Sequence, residues 1–292
     1  MNYSAPINDL TEAHSETVLF AGVQINSRQT VAFCLEQAAV HISQAAQSGA
    51  QIIVLPENFA TLGTGQSQSV AAQEGANAPQ PILSWCQQQA RQHSVYLVAG
   101  TIPTQRINSP LCWARANIFD PHGQRVTHYD KIHLFDATVG DAQGQYRESD
   151  TYAAGSQVVC FDFPMSSGRQ LRIGVAVCYD LRFPELFQRL RDLGAEVIVL
   201  PSAFTHTTGR AHWALLLRAR AVEQGVYMLG VNQCGWHDQT RQTWGHSAWV
   251  NPWGECVAHL QEAPGIVLGR YDGELINRCR QQLPTHQHHR LL

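Results

Sequence analysis

GAQIIVLP at residues 49–56 returns as GAEVIVLP at 194–201, with two of the eight positions changed, 145 residues further along a chain of 292. Each copy is a short, nearly unbroken apolar run, the pattern of a strand buried on both faces. Each also follows a helical stretch closed by a glycine. Gly49 ends a helix expected over 28–48, where Val31, Leu35, Ala38, Ala39 and Ile42 recur near helical spacing and Ser27 stands where a cap would. Gly194 ends one expected over 184–193, opened by Pro184 with Glu185 in its first turn. Two readings stay open: a common helix–strand junction met twice, or an internal duplication giving two similar α/β halves. The copies part directly after the proline, at Glu57 and Ser202. An ionisable residue at only one of the two strand ends marks that end as a candidate site.

Outward from the repeat, further strands are expected at TVLFAGVQI (17–25), SVYLVAG (94–100), LCWARANIFD (111–120) and RQLRIGVAVCYD (169–180). QRVTHYD (124–130) turns back on its predecessor through DPHG (120–123). VYMLGVNQ (226–233), HSAWVNP (246–252), ECVAHL (255–260) and GIVLGRY (265–271) add more strands, and a helix is expected over 210–224. Two sheets with helices outside them fit this order, which places the chain in the α/β class. One domain is expected over 17–276, between a loose polar leader at 1–16 and a tail at 277–292.

Hydrophobic residues make up 44% of the chain, enough for a sizeable core. Charged residues make up 15%, against roughly 25% in soluble proteins at large, so charge-driven disorder is excluded. A net charge of −3 gives no electrostatic case for nucleic acid, and no apolar run of roughly 20 residues offers a membrane span. None of the eight cysteines forms a C-x-x-C pair, which argues against a zinc ribbon or thioredoxin site. Buried free thiols in a reducing, cytoplasmic setting are expected instead. The tail THQHHR (285–290), with His286, His288 and His289, is read as an opportunistic metal binder at most.

Three positions carry the chemistry. Cys178 ends an apolar strand and precedes YDLRFPELF, where Pro184 opens a helix. Strand, sharp turn and helix make a nucleophile elbow, which exposes a side chain and aims backbone N–H groups at a carbonyl oxygen. Alone, this cysteine reads first as a buried strand residue. Lys131 stands among Tyr129, Ile132, Leu134 and Phe135, poor company for a solvated lysine. Glu57 follows IIVLP and precedes Phe59 by two residues. A carboxylate, an ammonium and a thiol, each in an apolar setting at a strand end, are complementary groups.

LPENF around Glu57, DKIHLFD around Lys131 and CYDLRFPELF around Cys178 resemble, in order, the three signature segments of the nitrilase (carbon–nitrogen hydrolase) superfamily. The resemblance covers roughly residues 17–276. It implies a four-layer α-β-β-α sandwich of two similar halves, in agreement with the internal repeat. It implies that Cys178 attacks an amide carbonyl, that Lys131 and the Tyr179 backbone N–H hold the oxyanion, and that Glu57 moves protons through a thioester intermediate. Neither metal nor organic cofactor is required. Glu148, in QYRESDTYAAG, matches a second glutamate that holds the catalytic groups in place.

The wording of KIHLFD and CYDLRFPELF is similar to the Nit branch of that superfamily. YRESD (146–150) and NQCGWHDQTRQTWGHS (232–247) imply deaminated glutathione as substrate, with α-ketoglutaramate the alternative. Gly230–Val231–Asn232 and Trp236 depart from the pattern. Both substrates carry carboxylates, so cations and donors are expected in the pocket, with Arg182, Thr207, Thr208 and Arg210 as candidates. Loss of Glu57, Lys131 or Cys178 would signal a non-catalytic structural member, but all three are present. The resemblance further implies a homodimer or larger homo-oligomer, with FPELFQRL (183–190) a candidate interface helix.

Overall fold

The eight-residue repeat is structurally real. In the computed structural model, which describes residues 17–288 and 290, its two copies form equivalent strands. The expected leader, 1–16, lies outside the described residues. The first half contributes β1 (Val18–Gln24), α1 (Val31–Gln47), β2 (Ile52–Val54), α2 (Ser67–Gln73), α3 (Pro81–His93), β3 (Tyr96–Gln105), β4 (Cys112–Phe119) and β5 (Arg125–Asp130). Short strands β6 (Asp136–Thr138), β7 (Gln145–Arg147) and β8 (Tyr152–Ala153) lead to the second half. There follow β9 (Val159–Pro164), β10 (Gln170–Val175), α4 (Pro184–Asp192), β11 (Val197–Ser202), α5 (His206–Gln224) and β12 (Tyr227–Asn232). The chain continues through β13 (Cys234–Trp236), β14 (Gln242–Trp244), β15 (Ala248–Val250), β16 (Cys256–His259), β17 (Gly265–Tyr271) and α6 (Gly273–Gln282).

One sheet runs β17-β1-β2-β3-β4-β5, with β8 beside β4, and the other runs β9-β10-β11-β12-β15-β16. Read in this order, both sheets are antiparallel, parallel, parallel, antiparallel, antiparallel. The register agrees as well: Phe20, Ile52 and Tyr96 align across one sheet as Ile173, Val197 and Tyr227 do across the other. Even the helix exits match, with Ala50 N–H donating to Ala45 O at 3.1 Å and Ala195 N–H to Leu190 O at 3.1 Å. Of the two readings of the repeat, duplication of an α/β half accounts for this agreement.

Strand alternation sets the layers. Phe20, Ile52 and Val54 face the other sheet, while Ala21, Ile53 and Leu55 lie under Ala38 and Ile42 of α1 and Ile82, Leu83 and Cys86 of α3. Leu186, Phe187 and Leu190 of α4 and Trp213, Leu217 and Ala221 of α5 cover the second sheet. The sheets meet across Phe20 and Trp249, whose rings are 5.2 Å apart. This is the α-β-β-α sandwich the resemblance implied.

Local details differ from expectation. Ser27 does not cap α1: its hydroxyl donates to Phe59 O at 2.6 Å, and Gln29 at φ 63° keeps the helix from starting. Thr30 is the cap, accepting from Phe33 N at 3.2 Å. Helix α5 starts at His206, four residues before its expected start, because Thr205 caps it. The expected boundary at 276 falls inside α6, whose start Asp272 caps through Glu274 N and Leu275 N. Helices α2 and α3 had no expectation; the buried Glu74 carboxylate caps α3 from outside, accepting from Ile82 N and Leu83 N. All eight cysteines are free thiols, and all but Cys160 and Cys256 are buried. Among the described residues, no helix is long and apolar enough to cross a membrane.

Candidate active site

Glu57 and Cys178 each lie three residues beyond a parallel strand, β2 in one sheet and β10 in the other. Lys131 directly follows β5, and Glu148 opens a 3-10 turn after β7. The sandwich brings these four ends to the wall of one cavity of about 840 Å³. Lys131 Nζ donates to Glu57 Oε1 at 2.7 Å and to both Glu148 oxygens, at 2.9 and 2.7 Å. Glu148 Oε2 also accepts from Phe135 N at 2.6 Å. The ammonium is buried and bridges two carboxylates.

Local backbone geometry makes these placements. Gly100 passes so close to the turn carrying Glu57 that a Cβ on it would lie 1.8 Å from Pro56 O. Gly155 backs Lys131 in the same way: its N–H donates to Lys131 O at 2.8 Å, and a Cβ there would lie 2.1 Å from Asp130 O. Only a residue without a side chain fits at either point. Gln233, at the end of β12, donates to Glu57 O at 3.1 Å and to Ser27 Oγ at 2.8 Å. Ser202, the counterpart of Glu57 in the second copy, is buried, and its hydroxyl donates to Leu200 O.

Cys178 has φ 49°, a left-handed conformation that costs a non-glycine residue about 1–3 kcal/mol. It turns the chain sharply out of the extended Val177 into a 3-10 turn over Cys178–Arg182. Asp180 holds this turn: Oδ2 accepts from Val177 N at 2.8 Å and from the Tyr129 hydroxyl at 2.7 Å. Its Oδ1 accepts from His133 N at 3.0 Å and lies 2.7 Å from His133 Nδ1. The His133 ring in turn stacks on Phe183 at 3.7 Å.

Burial pushes the Cys178 thiol well above its ordinary pKa, and the Glu57 charge pushes it the same way, while Lys131 and a hydrogen bond from the Ala203 backbone pull it down. The thiol and the Glu57 carboxylate share the cavity wall. Burial opposes the Lys131 charge, but Glu148, Glu57 and Cys178 together hold its pKa well above that of an ordinary lysine. Burial also raises Glu148, against the pull of Lys131. The resting arrangement is a neutral thiol beside a carboxylate, with a fixed cation between two acids.

The other candidates separate. Arg182 lines a small recess beside Cys178 together with Tyr179, Phe204, Thr205 and Thr208. Its guanidinium lies 3.2 Å from His212 Nδ1 and over the Tyr179 and Phe204 rings. Thr207 and Arg210 are corrections: both are exposed on α5, and neither lines the cavity or the recess. In the first turn of α5 only Thr208 faces the thiol, and its neighbour points away. The cations that line the cavity beside Lys131 are Arg147 and Arg241, which sequence reasoning missed. Both stand in segments it had singled out, YRESD and the stretch 232–247. Among the described residues, no cluster of three His, Cys, Asp or Glu side chains is placed to hold a metal ion.

A family model described as carbon–nitrogen hydrolase matches residues 19–281. The deaminated glutathione amidase of Yersinia enterocolitica is 38% identical over 246 residues, covering 84% of this chain and 84% of the relative. The omega-amidase of Danio rerio is 34% identical over 265 residues, covering 90% of this chain and 91% of the relative. Among solved structures, Saccharomyces cerevisiae Nit3, a member of branch 10 of the nitrilase superfamily, superposes with a TM-score of 0.81 at 28% identity. That match covers 94% of this chain and 97% of Nit3.

Proposed function

The chain belongs to the carbon–nitrogen hydrolase family, and on that premise we propose that it is an amidase that cleaves deaminated glutathione through a thioester on Cys178. One observation carries the reading: a thiol, a carboxylate and a doubly paired lysine meet at a single cavity wall.

The chemistry follows from the proton positions. As Cys178 sulfur attacks the amide carbon, its proton passes to Glu57, so the high resting pKa of the thiol matters only until attack begins. The developing oxyanion is held by Lys131 and the Tyr179 backbone N–H. Glu57 returns the proton to the departing nitrogen, and the C–N bond breaks to leave the thioester. Glu57 then takes a proton from water, hydroxide attacks the thioester, and the thiol is released with its proton. Glu148 holds Lys131 in place throughout. The recess formed by Arg182, Phe204 and Thr208 has a volume of only about 10 Å³, so the acyl group lies in the main cavity beside it. Self-association belongs to the same reading. The apolar side chains of α4 are spent inside the chain, whereas Leu215 and Val222 of α5 are exposed.

The test is steady-state kinetics on deaminated glutathione, α-ketoglutaramate and glutathione. The expected order of kcat/KM is deaminated glutathione first, with glutathione barely turned over. Equal or higher kcat/KM on α-ketoglutaramate makes the protein an omega-amidase, the activity named for the Danio rerio relative.

A further inference from the structure

The cavity holds more than the chemistry needs. The reacting groups occupy one part of its wall, and the rest comes from residues 61–67, the β6–β7 hairpin and the β13–β14 hairpin. At about 840 Å³ it lies near the upper end of the roughly 300–1,000 Å³ typical of ligand pockets. The recess beside Cys178, about 10 Å³, holds no more than a water-sized group, so the acyl group lies in this cavity against Cys178, and the volume beyond it is left for the leaving group. For a substrate that is a keto-acid amide of cysteinylglycine, it is the space for the leaving dipeptide. That dipeptide ends in a carboxylate.

Arg241 is the cation built for it. The β13–β14 turn fixes its backbone: Asp238 Oδ1 accepts from Arg241 N at 2.8 Å and from Thr240 N at 2.7 Å, and His237 N donates to Arg241 O at 2.9 Å. Its guanidinium lies over the Tyr146 ring, 5.8 Å from the centroid, and the Tyr146 hydroxyl is itself held by Asp141 Oδ2 at 2.8 Å. The Arg241 Nε is buried without a hydrogen-bond partner. That nitrogen has no accessible surface, so a ligand in the cavity meets only the remaining guanidinium nitrogens. Arg147, from the same hairpin as Tyr146, is exposed at this wall. Asp238 also lines the wall, but one of its oxygens is taken up by the turn.

Building on the amidase reading, we propose that Arg241 binds the terminal carboxylate of the leaving dipeptide and sets the preference for the larger amide over α-ketoglutaramate. The leaving group of α-ketoglutaramate is ammonia, which reaches nothing at this wall. Contacts remote from the reacting carbon can thereby orient the scissile amide against Cys178.

The experiment compares the parent, Arg241→Ala and Arg241→Lys on three compounds: deaminated glutathione, the same molecule with its terminal carboxylate replaced by a carboxamide, and α-ketoglutaramate. In the parent, the carboxamide is expected to lose at least about tenfold in kcat/KM against deaminated glutathione. Arg241→Ala loses a similar factor on deaminated glutathione, none on α-ketoglutaramate, and nothing further on the carboxamide. Arg241→Lys recovers part of the loss. Turnover of α-ketoglutaramate by each variant also reports an intact fold. Equal losses on all three compounds, or no loss on deaminated glutathione, overturn the assignment of Arg241 and leave the amidase reading standing. A parent that leaves deaminated glutathione intact, seen before any variant is made, overturns the substrate reading and this subsite with it.

Discussion

Asp180 accepts the hydroxyl of Tyr129 at 2.7 Å, and through this bond the turn that presents Cys178 is tied to the strand that delivers Lys131. The two residues are 51 apart in sequence, Tyr129 on a strand of one sheet and Asp180 in the turn that follows a strand of the other, and both are fully buried. The same carboxylate also accepts from Val177 N and His133 N, so it faces donors on every side. Asp180→Asn turns one acceptor into a donor among those donors. The expected cost is about 2–4 kcal/mol of stability, with kcat falling more than KM rises. Tyr129→Phe removes one bond and should cost about 1 kcal/mol. Urea unfolding and steady-state kinetics on the same preparations check both.

Lys131 separates the buried Glu57 carboxylate from the partly buried one of Glu148, which makes its replacements informative. Lys131→Met leaves Glu57 and Glu148 uncompensated and is expected to destabilise the fold by about 3–5 kcal/mol as well as stop turnover. Lys131→Arg keeps the charge, but a planar guanidinium does not replace a compact ammonium within 2.7 Å of both acids. It should retain most of the stability and lose at least about a hundredfold in kcat. A kcat near the parent's in Lys131→Arg would remove the lysine from the oxyanion site.

Cys178→Ala is expected to abolish turnover, by at least about a thousandfold, with an unchanged near-ultraviolet circular dichroism spectrum. The variant keeps the backbone turn that Asp180 holds and loses only the sulfur. Rapid mixing with deaminated glutathione should show no burst of released dipeptide. Residual turnover near the parent rate would mean that another group attacks the amide.

His237 predicts an acid limit to stability. Burial lowers its pKa to about 4, and its ring nitrogens lie 2.6 Å from Ser27 O and 2.7 Å from Thr243 Oγ1. The neutral ring is favoured in the folded state. Its contribution is therefore complete above the unfolded value of 6.5 and is lost as the pH falls toward 4. At pH 5 the loss is about 2 kcal/mol relative to pH 7. Urea unfolding at the two pH values should show this difference in the parent and lose most of it in His237→Gln. The same drop in both proteins would place the acid sensitivity elsewhere.

The layered fold and the residues that meet at the candidate site were legible along the chain because each has a local cause. An apolar run with glycine before it and proline after it means a buried strand leaving a helix wherever it occurs, and two copies mean two such strands. Glu57, Lys131 and Cys178 stood out because a polar group at the end of such a strand has to be explained. Ser27 misled for the opposite reason. Its type suits a cap, but the choice between Ser27 and Thr30 fell to Gln29, whose positive φ no spacing rule registers. Helix α3 went unseen because its cap, Glu74, is supplied from outside the helix.

What the sequence by itself determined was the set of elements and the identities of the groups at their ends. Only the tertiary structure decided which of those groups meet. Thr207 and Thr208 are neighbours of similar chemistry, yet only the second reaches the recess by the thiol, because a helix turns successive side chains roughly 100° apart. Arg147 and Arg241 lie on hairpins 94 residues apart that carry no apolar period pointing at the site. Arg241 lies over the ring of Tyr146, the residue before Arg147, and both arginines line one cavity only because the tertiary structure brings the two hairpins together. Periodicity reports which side of an element is buried; the distance between two elements is set by packing, and it is that distance which makes a thiol, an ammonium and two carboxylates into one site.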